Sequence, residues 1–506
     1  VSRSFWSNFE RMEGLLGHLH LLAFFLILVG VNRTERDWWR FFHISFVAAF
    51  LVIVYALFQL GGAFEIHQGG VRVDSTLGNA TYLAVYMLFH IFLGLYYFLK
   101  TRNTYAQIFY GALLLLETFI LYQTATRGAI LGLVGGLFIF ALTFGFLSKE
   151  RRLKFFAIGL LVFLVVIAAG FLAIKDSQFV KESNTLGRLS NISIQDDDAK
   201  ARFSIWEMAF KGFKERPILG WGPENFAVVF SKNYDPELWR REPWFDRSHN
   251  IVLDWLTTGG IFGVVAYLGI FVSAIWLLVK KYLEKKISNI ELSVFLGLLG
   301  GFFFQNLFVF DQLTSYIMFL SVLGYLHFVS KGEITEKSAA LMPAGQAQVY
   351  SVVAIVAILP IIYIFNIKPF RANLTLLSAL ENANVGKIED AQKDFKRAIK
   401  LSPLGRREAR EQFAHFATLI AAESKIPEAV RISSVTDAIK ESELEAKDSS
   451  LDARSHLFLG SIYNAAGRRA DALRAFEEAL KLSPEKQQIV FLVAQMYLDA
   501  GQNDKA

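Results

Sequence analysis

Leu131-Gly132-Leu133-Val134-Gly135-Gly136-Leu137-Phe138-Ile139-Phe140-Ala141-Leu142-Thr143-Phe144-Gly145-Phe146-Leu147, followed at once by Ser148-Lys149-Glu150-Arg151-Arg152-Leu153-Lys154, decides the fold class. The apolar run holds no charge and, with the residues back to Arg127, reaches the ~20 needed to cross about 30 Å of hydrocarbon. The segment behind it is crowded with Lys and Arg, which anchor a helix end at the membrane surface. Working outward, similar runs recur, and ten spans are expected at 14–31, 40–60, 79–99, 105–124, 127–147, 154–174, 252–279, 291–310, 314–330 and 349–366.

The composition agrees. Of 506 residues 54% are apolar, 48 are Phe and only 19% are charged, less charge than a soluble domain of this size carries. The net charge of +6 does not mark a nucleic-acid partner, because the Lys and Arg lie in short loops between apolar runs. There is no Cys, which excludes disulfides, thiolate metal sites and a Cys nucleophile. The chain opens at Val1 without Met and stops inside a repeat at Ala506, so it reads as a piece of a longer protein with helices and a targeting signal expected upstream.

Loop charge sets the expected topology. Arg33, Arg36 and Arg40, then Lys100 and Arg102, then Lys149, Arg151, Arg152 and Lys154, then Lys280, Lys281, Lys285 and Lys286, then Lys331 and Lys337 follow alternate spans. With ten spans all five groups share one side, and the positive-inside rule makes it cytoplasmic. The N-terminal segment, the 62–77 loop, the turn before Arg127, the long loop 175–248 and everything after 367 then lie outside. Within the long loop, Ala201 to Phe210 reads as an amphipathic helix on the membrane surface.

After residue 367 the pattern changes to the ~34-residue period of tetratricopeptide repeats. The clearest unit runs Leu459-Gly460, Tyr463, Gly467, Ala472, Phe476, Ala479 and Pro484. Ala494, Tyr497 and Gly501 begin the next in phase, and Gly386, Ala391, Phe395, Ala398 and Pro403 mark an earlier one. The expectation is therefore all-α: a polytopic transmembrane bundle over 1–367, then a soluble α-solenoid over 368–506. Such stacks form concave binding surfaces, so a protein partner on the repeats stands beside a purely mechanical role for them.

Three groups on the outer side could carry chemistry: Arg127 in Thr126-Arg127-Gly128, Arg202 in Arg202-Phe203-Ser204-Ile205-Trp206, and His249 in Ser248-His249-Asn250. Guanidinium forks suit a diphosphate, and an imidazole at the lipid–water boundary suits a general base. Taken singly, each also reads as an interfacial anchor or end-cap. Asn250 and Asp254 are candidate supports, as are Asp246 and Arg247, which read first as a solvated ion pair. Glu117, inside an apolar span, is either functional or a neutral packing residue. Asp196-Asp197-Asp198 has the Asp-x-Asp spacing of many metal-binding glycosyltransferases but no completing oxygen ligands nearby, and reads as solvated.

In combination these segments resemble the O-antigen ligase superfamily. His249-Asn250, nine residues, then Gly260-Ile261-Phe262-Gly263 is similar to its His-Asn, nine residues, Gly-x-x-Gly motif. Gly78-Asn79-Ala80-Thr81-Tyr82-Leu83-Ala84, the Thr-Arg-Gly step at Arg127, Arg202-x-x-x-Trp206 and Pro217-Ile218-Leu219-Gly220-Trp221-Gly222 with Asn225-Phe226 extend the likeness over about residues 78–330. The resemblance implies a glycosyltransferase-C-like enzyme that moves a glycan from an undecaprenyl-diphosphate carrier to an acceptor hydroxyl on a lipid, glycan or protein, at the outer leaflet of the cytoplasmic membrane. It assigns His249 as the base and Arg127 and Arg202 to the diphosphate, without a metal or other cofactor. A repeat-unit polymerase of the same superfamily is the nearest alternative, and a transporter or scaffold with outward repeats the more distant one.

Overall fold

The polar breaks between apolar runs become helix caps. Thr34 with Asp37 and Ser288 with Glu291 form reciprocal capping boxes, while Asn79, Asn103 and Asn250 accept from backbone N–H groups of the helices they open. The computed structural model describes residues 2–7, 11, 13–68, 70–191, 197–240, 244–332 and 343–506, and among these the only extended pairing is one bridge between Gln68 and Arg72. The described residues are mostly helical, as the apolar periodicity requires.

The membrane half runs α1 (Ser2–Trp6), α2 (Leu15–Val31), α3 (Glu35–Leu60), α4 (Ala80–Lys100), α5 (Thr104–Gln123), α6 (Arg127–Leu147), α7 (Arg151–Ile174), α8 (Gln178–Glu182), α9 (Asn184–Ser190), α10 (Asp197–Glu215), α11 (Phe226–Lys232), α12 (Ile251–Leu283), α13 (Asn289–Asn306), α14 (Leu313–Lys331) and α15 (Ala344–Ile362). All ten expected spans are helices. Among the described residues eight helices are long and apolar enough to cross a membrane, the last running on from Gly345 to Asn384. The other two are α2, at 17 residues, and α13, whose 18 include Glu291, Gln305 and Asn306. The polar tips of α13 are satisfied inside the protein: Asn306 donates to Asp311 Oδ1 at 2.9 Å, and Tyr325 donates to Glu291 at 3.3 Å.

The centre of the bundle is a backbone-to-backbone contact between α6 and α13. A Cβ on Gly132 would stand 2.6 Å from the Gly301 carbonyl oxygen, and one on Gly136 2.5 Å from that of Gly297. Lipid tails are as apolar as Leu, so close approach through small residues replaces the hydrophobic drive that operates in water. By contrast α15 buries none of its apolar stretch, leaving every face for lipid.

Side-chain contacts define two faces of the bundle. Lys100 pairs with Glu35, Tyr96 donates to Glu291 at 3.2 Å, and Asn289 donates to Ser148 at 3.2 Å, which gathers the basic loops after α2, α4, α6 and α12 on one face. On the opposite face Arg72 reaches Thr124 O (3.1 Å), Thr185 reaches Tyr122 O (3.0 Å), and Asn250 reaches Leu307 O (3.1 Å).

A π-helical turn, Tyr363–Ile367, connects α15 to the repeats, which comprise α16 (Lys368–Asn384), α17 (Ile388–Leu401), α18 (Arg406–Ala421), α19 (Glu428–Asp448), α20 (Ala453–Ala465), α21 (Arg469–Leu482) and α22 (Gln487–Asp499). The Phe476 ring lies over Gly460, where a Cβ would come within 2.5 Å of it. The α18–α19 pair carries no repeat motif that the sequence reading detected. The repeats dock on the face that carries the long loop. Arg3 pairs with Asp452, Gln487 donates to Pro236 O at 2.9 Å, and Lys486 sits 4.2 Å from the Trp244 ring and 4.3 Å from that of Tyr234.

Candidate active site

His249 has a backbone φ of 55°, the left-handed region that a non-glycine residue occupies only when its surroundings enforce it. Its neighbours do so. On one side Ser248 N donates to Asp254 Oδ1 at 2.7 Å. On the other, Asn250 caps α12 by accepting from Val252 N (3.0 Å) and Leu253 N (3.1 Å), and its amide holds Leu307 O. Asn250 and Asp254 thus fix the turn that presents the imidazole. The ring itself stands edge-on between Phe245 and Phe310, at centroid distances of 5.7 and 5.3 Å.

Burial pushes the His249 imidazole down to about 4, and Arg202 and then Arg11 push the same way against an opposing pull from Asp246. The ring is neutral at neutral pH, the form that can accept a proton. An anion arriving between these cations would raise its basicity.

Arg202 is brought to His249 by α10. Ile205, Met208 and Ala209 of that helix bury with Phe226, Phe230, Tyr234 and Leu238, and Thr257 Oγ1 donates to Ala209 O at 3.0 Å. The apolar stripe expected to lie on the membrane surface therefore packs on α11 and α12, while Phe203 and Phe210 stay exposed.

Two sequence motifs prove to be one structural unit. α12 breaks at Gly260 (φ 62°), and the chain Pro217 to Gly222 pairs with the break. Trp221 N donates to Thr257 O (2.9 Å), Gly222 N to Thr258 O (2.8 Å) and Ile261 N to Pro217 O (2.8 Å). A Cβ on Gly220 would stand 2.5 Å from the Thr258 carbonyl carbon, so the strands of this junction meet only because glycine is there.

Asp246 and Arg247 are not the solvated pair their loop position suggested. Arg247 is only 4% exposed and ion-pairs with Glu13 and Glu224, while Asp246 takes Arg11 Nε at 2.8 Å. Glu13 and Arg11 lie hundreds of residues away in sequence, in a segment whose composition signals nothing. Arg11 also donates to Tyr82 OH (3.1 Å) and lies 4.4 Å from the Phe310 ring, placing it beside His249.

Arg127 opens α6 in a neighbouring group, with Arg72 and Arg188. It meets the His249 group along two routes: Gly128 faces Gln305 and Phe308, next to the Leu307 carbonyl held by Asn250, and Arg72 Nη2 reaches Thr81 Oγ1 (3.4 Å) beside Tyr82. Glu117 is fully buried, and among the described residues neither carboxyl oxygen has a hydrogen-bond partner. Asp196 and the side chains of Asp197 and Asp198 lie outside the described residues. Among the described residues no three His, Cys, Asp or Glu side chains group as metal ligands.

Fold and site define a multi-pass membrane protein with arginines and one strained histidine gathered on a single face of its helical bundle. Residues 110–268, from α5 into α12, match the family model described as O-antigen ligase, and residues 453–486 match the tetratricopeptide repeat model. The chain is an O-antigen-ligase-like membrane protein with C-terminal tetratricopeptide repeats. No curated protein matches it. The matched segment contains Arg127, Arg202 and His249. That family suggests a glycosyltransferase-like ligase or polymerase acting on a lipid-linked glycan, and tetratricopeptide repeats suggest protein interaction. Arg11, Arg72 and Arg188 escaped the sequence reading. A usable signal existed only for Arg72, which shortly precedes Gly78-Asn79.

Proposed function

We propose that the protein transfers a glycan from undecaprenyl diphosphate to an acceptor hydroxyl on the outer side of the cytoplasmic membrane. The observation that carries this reading is His249, neutral and held in a left-handed turn beside Arg202 and Arg11. His249 takes the hydroxyl proton as the acceptor oxygen bonds to the anomeric carbon. The bond from that carbon to the diphosphate oxygen breaks, and its electron pair leaves with the diphosphate. Arg127 and Arg202 stabilise the negative charge that develops there. The binding groups need no metal to supply positive charge. Asn250 and Asp254 keep the base in place.

The basic loops face the cytoplasm in this reading, by the positive-inside rule, and the repeats stand outside, next to the site, where they suit a large or protein acceptor. A cytoplasm-only reporter fused after Ala506 stays silent if so, and a strong signal reverses the orientation. Purified full-length protein given lipid-linked glycan and acceptor should release undecaprenyl diphosphate and glycosylate the acceptor. A product in which the glycan grows on its own lipid carrier would make it a polymerase. No transfer of either kind, with transport of the lipid instead, would overturn the enzyme.

A further inference from the structure

The repeats meet the long loop just ahead of the His249 turn. Trp244 packs against the core of the repeats. Phe245, its neighbour in the chain, packs instead against the small core that α10 and α11 build with the loop. The boundary between the two halves of the molecule thus falls between two adjacent side chains.

Lys486 holds that boundary from the repeat side. It lies in the turn between α21 and α22 and is only 2% exposed. Its Nζ stands 4.2 Å from the Trp244 ring, 4.3 Å from Tyr234 and 5.6 Å from Phe230. Burial lowers the ammonium to about 8, so it stays mostly charged at neutral pH, the form that aromatic faces attract.

From this cage the contacts continue to the imidazole. Phe230 is fully buried and lies 5.6 Å from the Phe245 ring, which in turn lies 5.7 Å from His249. Phe245 is therefore held twice, by Phe230 beside it and by Trp244 before it, and Lys486 touches both. His249 cannot absorb a shift of Phe245 freely, because its left-handed φ is imposed by its neighbours. The repeats also fasten the other flank of the site. Asp452, the N-cap of α20, pairs with Arg3 of α1, and Ser4 donates to Pro223 O at 3.0 Å. That same N-terminal segment carries Arg11 and Glu13 to Asp246 and Arg247.

We infer that Lys486 is a positioning residue for His249, acting through Trp244, Phe230 and Phe245, and that the docked repeats are part of the catalytic unit. The inference rests on the glycan-transfer reading for the role of His249. The coupling of Lys486 to the imidazole is independent of that role.

Two measurements on full-length protein in nanodiscs test it. The first needs no substrate: the rate at which diethyl pyrocarbonate modifies His249, followed by mass spectrometry. Lys486→Gln should raise that rate about threefold or more, because a desolvated cation–π contact is lost, with helix content unchanged by circular dichroism. Lys486→Arg keeps a cation for the rings and should stay within about twofold of wild type. Phe491→Ala removes the 5.5 Å contact with Trp239 on the same docking surface but leaves the cage, and should also stay within about twofold. The second measurement is transfer. Lys486→Gln should lower kcat about tenfold with KM within about twofold, as expected for a misplaced base, and Lys486→Arg should recover most of it. Unchanged modification of His249 in Lys486→Gln, or an equal rise in Phe491→Ala, overturns the inference. So does a raised KM with kcat unchanged. If His249 becomes reactive in Lys486→Gln but the wild type transfers no glycan, the coupling holds and the transfer reading falls. If glycan is transferred and Lys486→Gln alters neither kcat nor the reactivity of His249, the inference falls alone.

Discussion

The arginines of the repeat half and those of the outer membrane face are used in opposite ways. In the repeats, Arg410 of α18 donates to Glu441 (3.0 Å), Glu445 (3.1 Å) and Asp448 (3.0 Å) of α19, and Arg407 to Glu411 (2.7 Å) and Asp452 (2.6 Å). Each cation is matched from within, and the matches join one helix to the next. On the membrane half, Arg188 and Arg127 bear on Arg72, and Arg202 and Arg11 bear on His249, Arg11 while paired with Asp246. Charge balanced internally holds a fold together. Arginines that bear on a buried titratable group instead set its electrostatics, as Arg202 does for His249. Arg247 shows that the distinction follows the partners and not the location, since it lies in the membrane half yet is matched by Glu13 and Glu224.

The largest test of this contrast is His249→Ala. Transfer should fall by about a hundred- to ten-thousand-fold, the usual cost of losing a general base, with the protein still folded in the membrane. The same residue makes a prediction about stability. Its folded pKa of about 4 lies below the ordinary ~6.5 of histidine. Between those values the unfolded chain binds a proton that the folded chain excludes, so the imidazole's contribution is complete above ~6.5 and lost as pH falls toward 4. Unfolding measured across that window should show less acid destabilisation in His249→Ala than in wild type. Transfer that persists at the wild-type rate would move the base elsewhere.

Arg410→Ala should do the reverse. It leaves buried Glu445 with only Arg407 Nε, 4.0 Å away, and should cost the repeats about 3 kcal/mol, the low end for a broken buried pair because that cation remains and Asp448 and Glu441 reach water. Thermal unfolding should show the loss, and transfer below that temperature should be unchanged. A transfer defect with the repeats intact would mean that these arginines also serve the site.

Arg202→Gln is expected to lower transfer by about a hundredfold, as for a lost donor to developing charge, and Lys should not rescue it. A pH profile sharpens the test. Arg202 holds the His249 pKa down, so its removal should move the acid limb of the rate to higher pH. A rate loss with an unmoved limb would show that Arg202 acts away from the histidine.

How much of this was legible depends on the length scale of the signal. The spans are local, since a run of apolar residues needs no partner to declare itself, and His249 with Asn250 and the later glycines forms a motif that spans about three helix turns up to the kink at Gly260. The α13 tips were legible only as a weak span, because Asn306 and Glu291 look costly until Asp311, Tyr325 and Tyr96 are in place. Arg11, Glu13 and Arg188 were not legible at all. Each acquires meaning from a residue that folding brings near, such as Asp246 to Arg11 across 235 positions, and nothing in the flanking residues encodes that pairing.

The smallest expected effect is the removal of divalent metal. Metal ions serve phosphoryl and diphosphate chemistry by placing positive charge on the leaving oxygens. In the proposed mechanism the guanidiniums of Arg127 and Arg202 supply that charge instead. Asp196, Asp197 and Asp198 are the residues whose spacing offers a rival arrangement, an acidic run that would recruit the cation instead. Replacing all three with Asn should leave transfer within about twofold, since a run of acids without completing oxygen ligands ordinarily remains solvated, and excess chelator should leave it equally unaffected. If chelator stops the reaction and Mg²⁺ or Mn²⁺ restores it in wild type but not in the triple Asn variant, the acids bind the catalytic cation. The outer arginines would then be anchors for a metal-bound diphosphate, and the contrast between internally matched and outward-facing arginines would lose its chemical meaning.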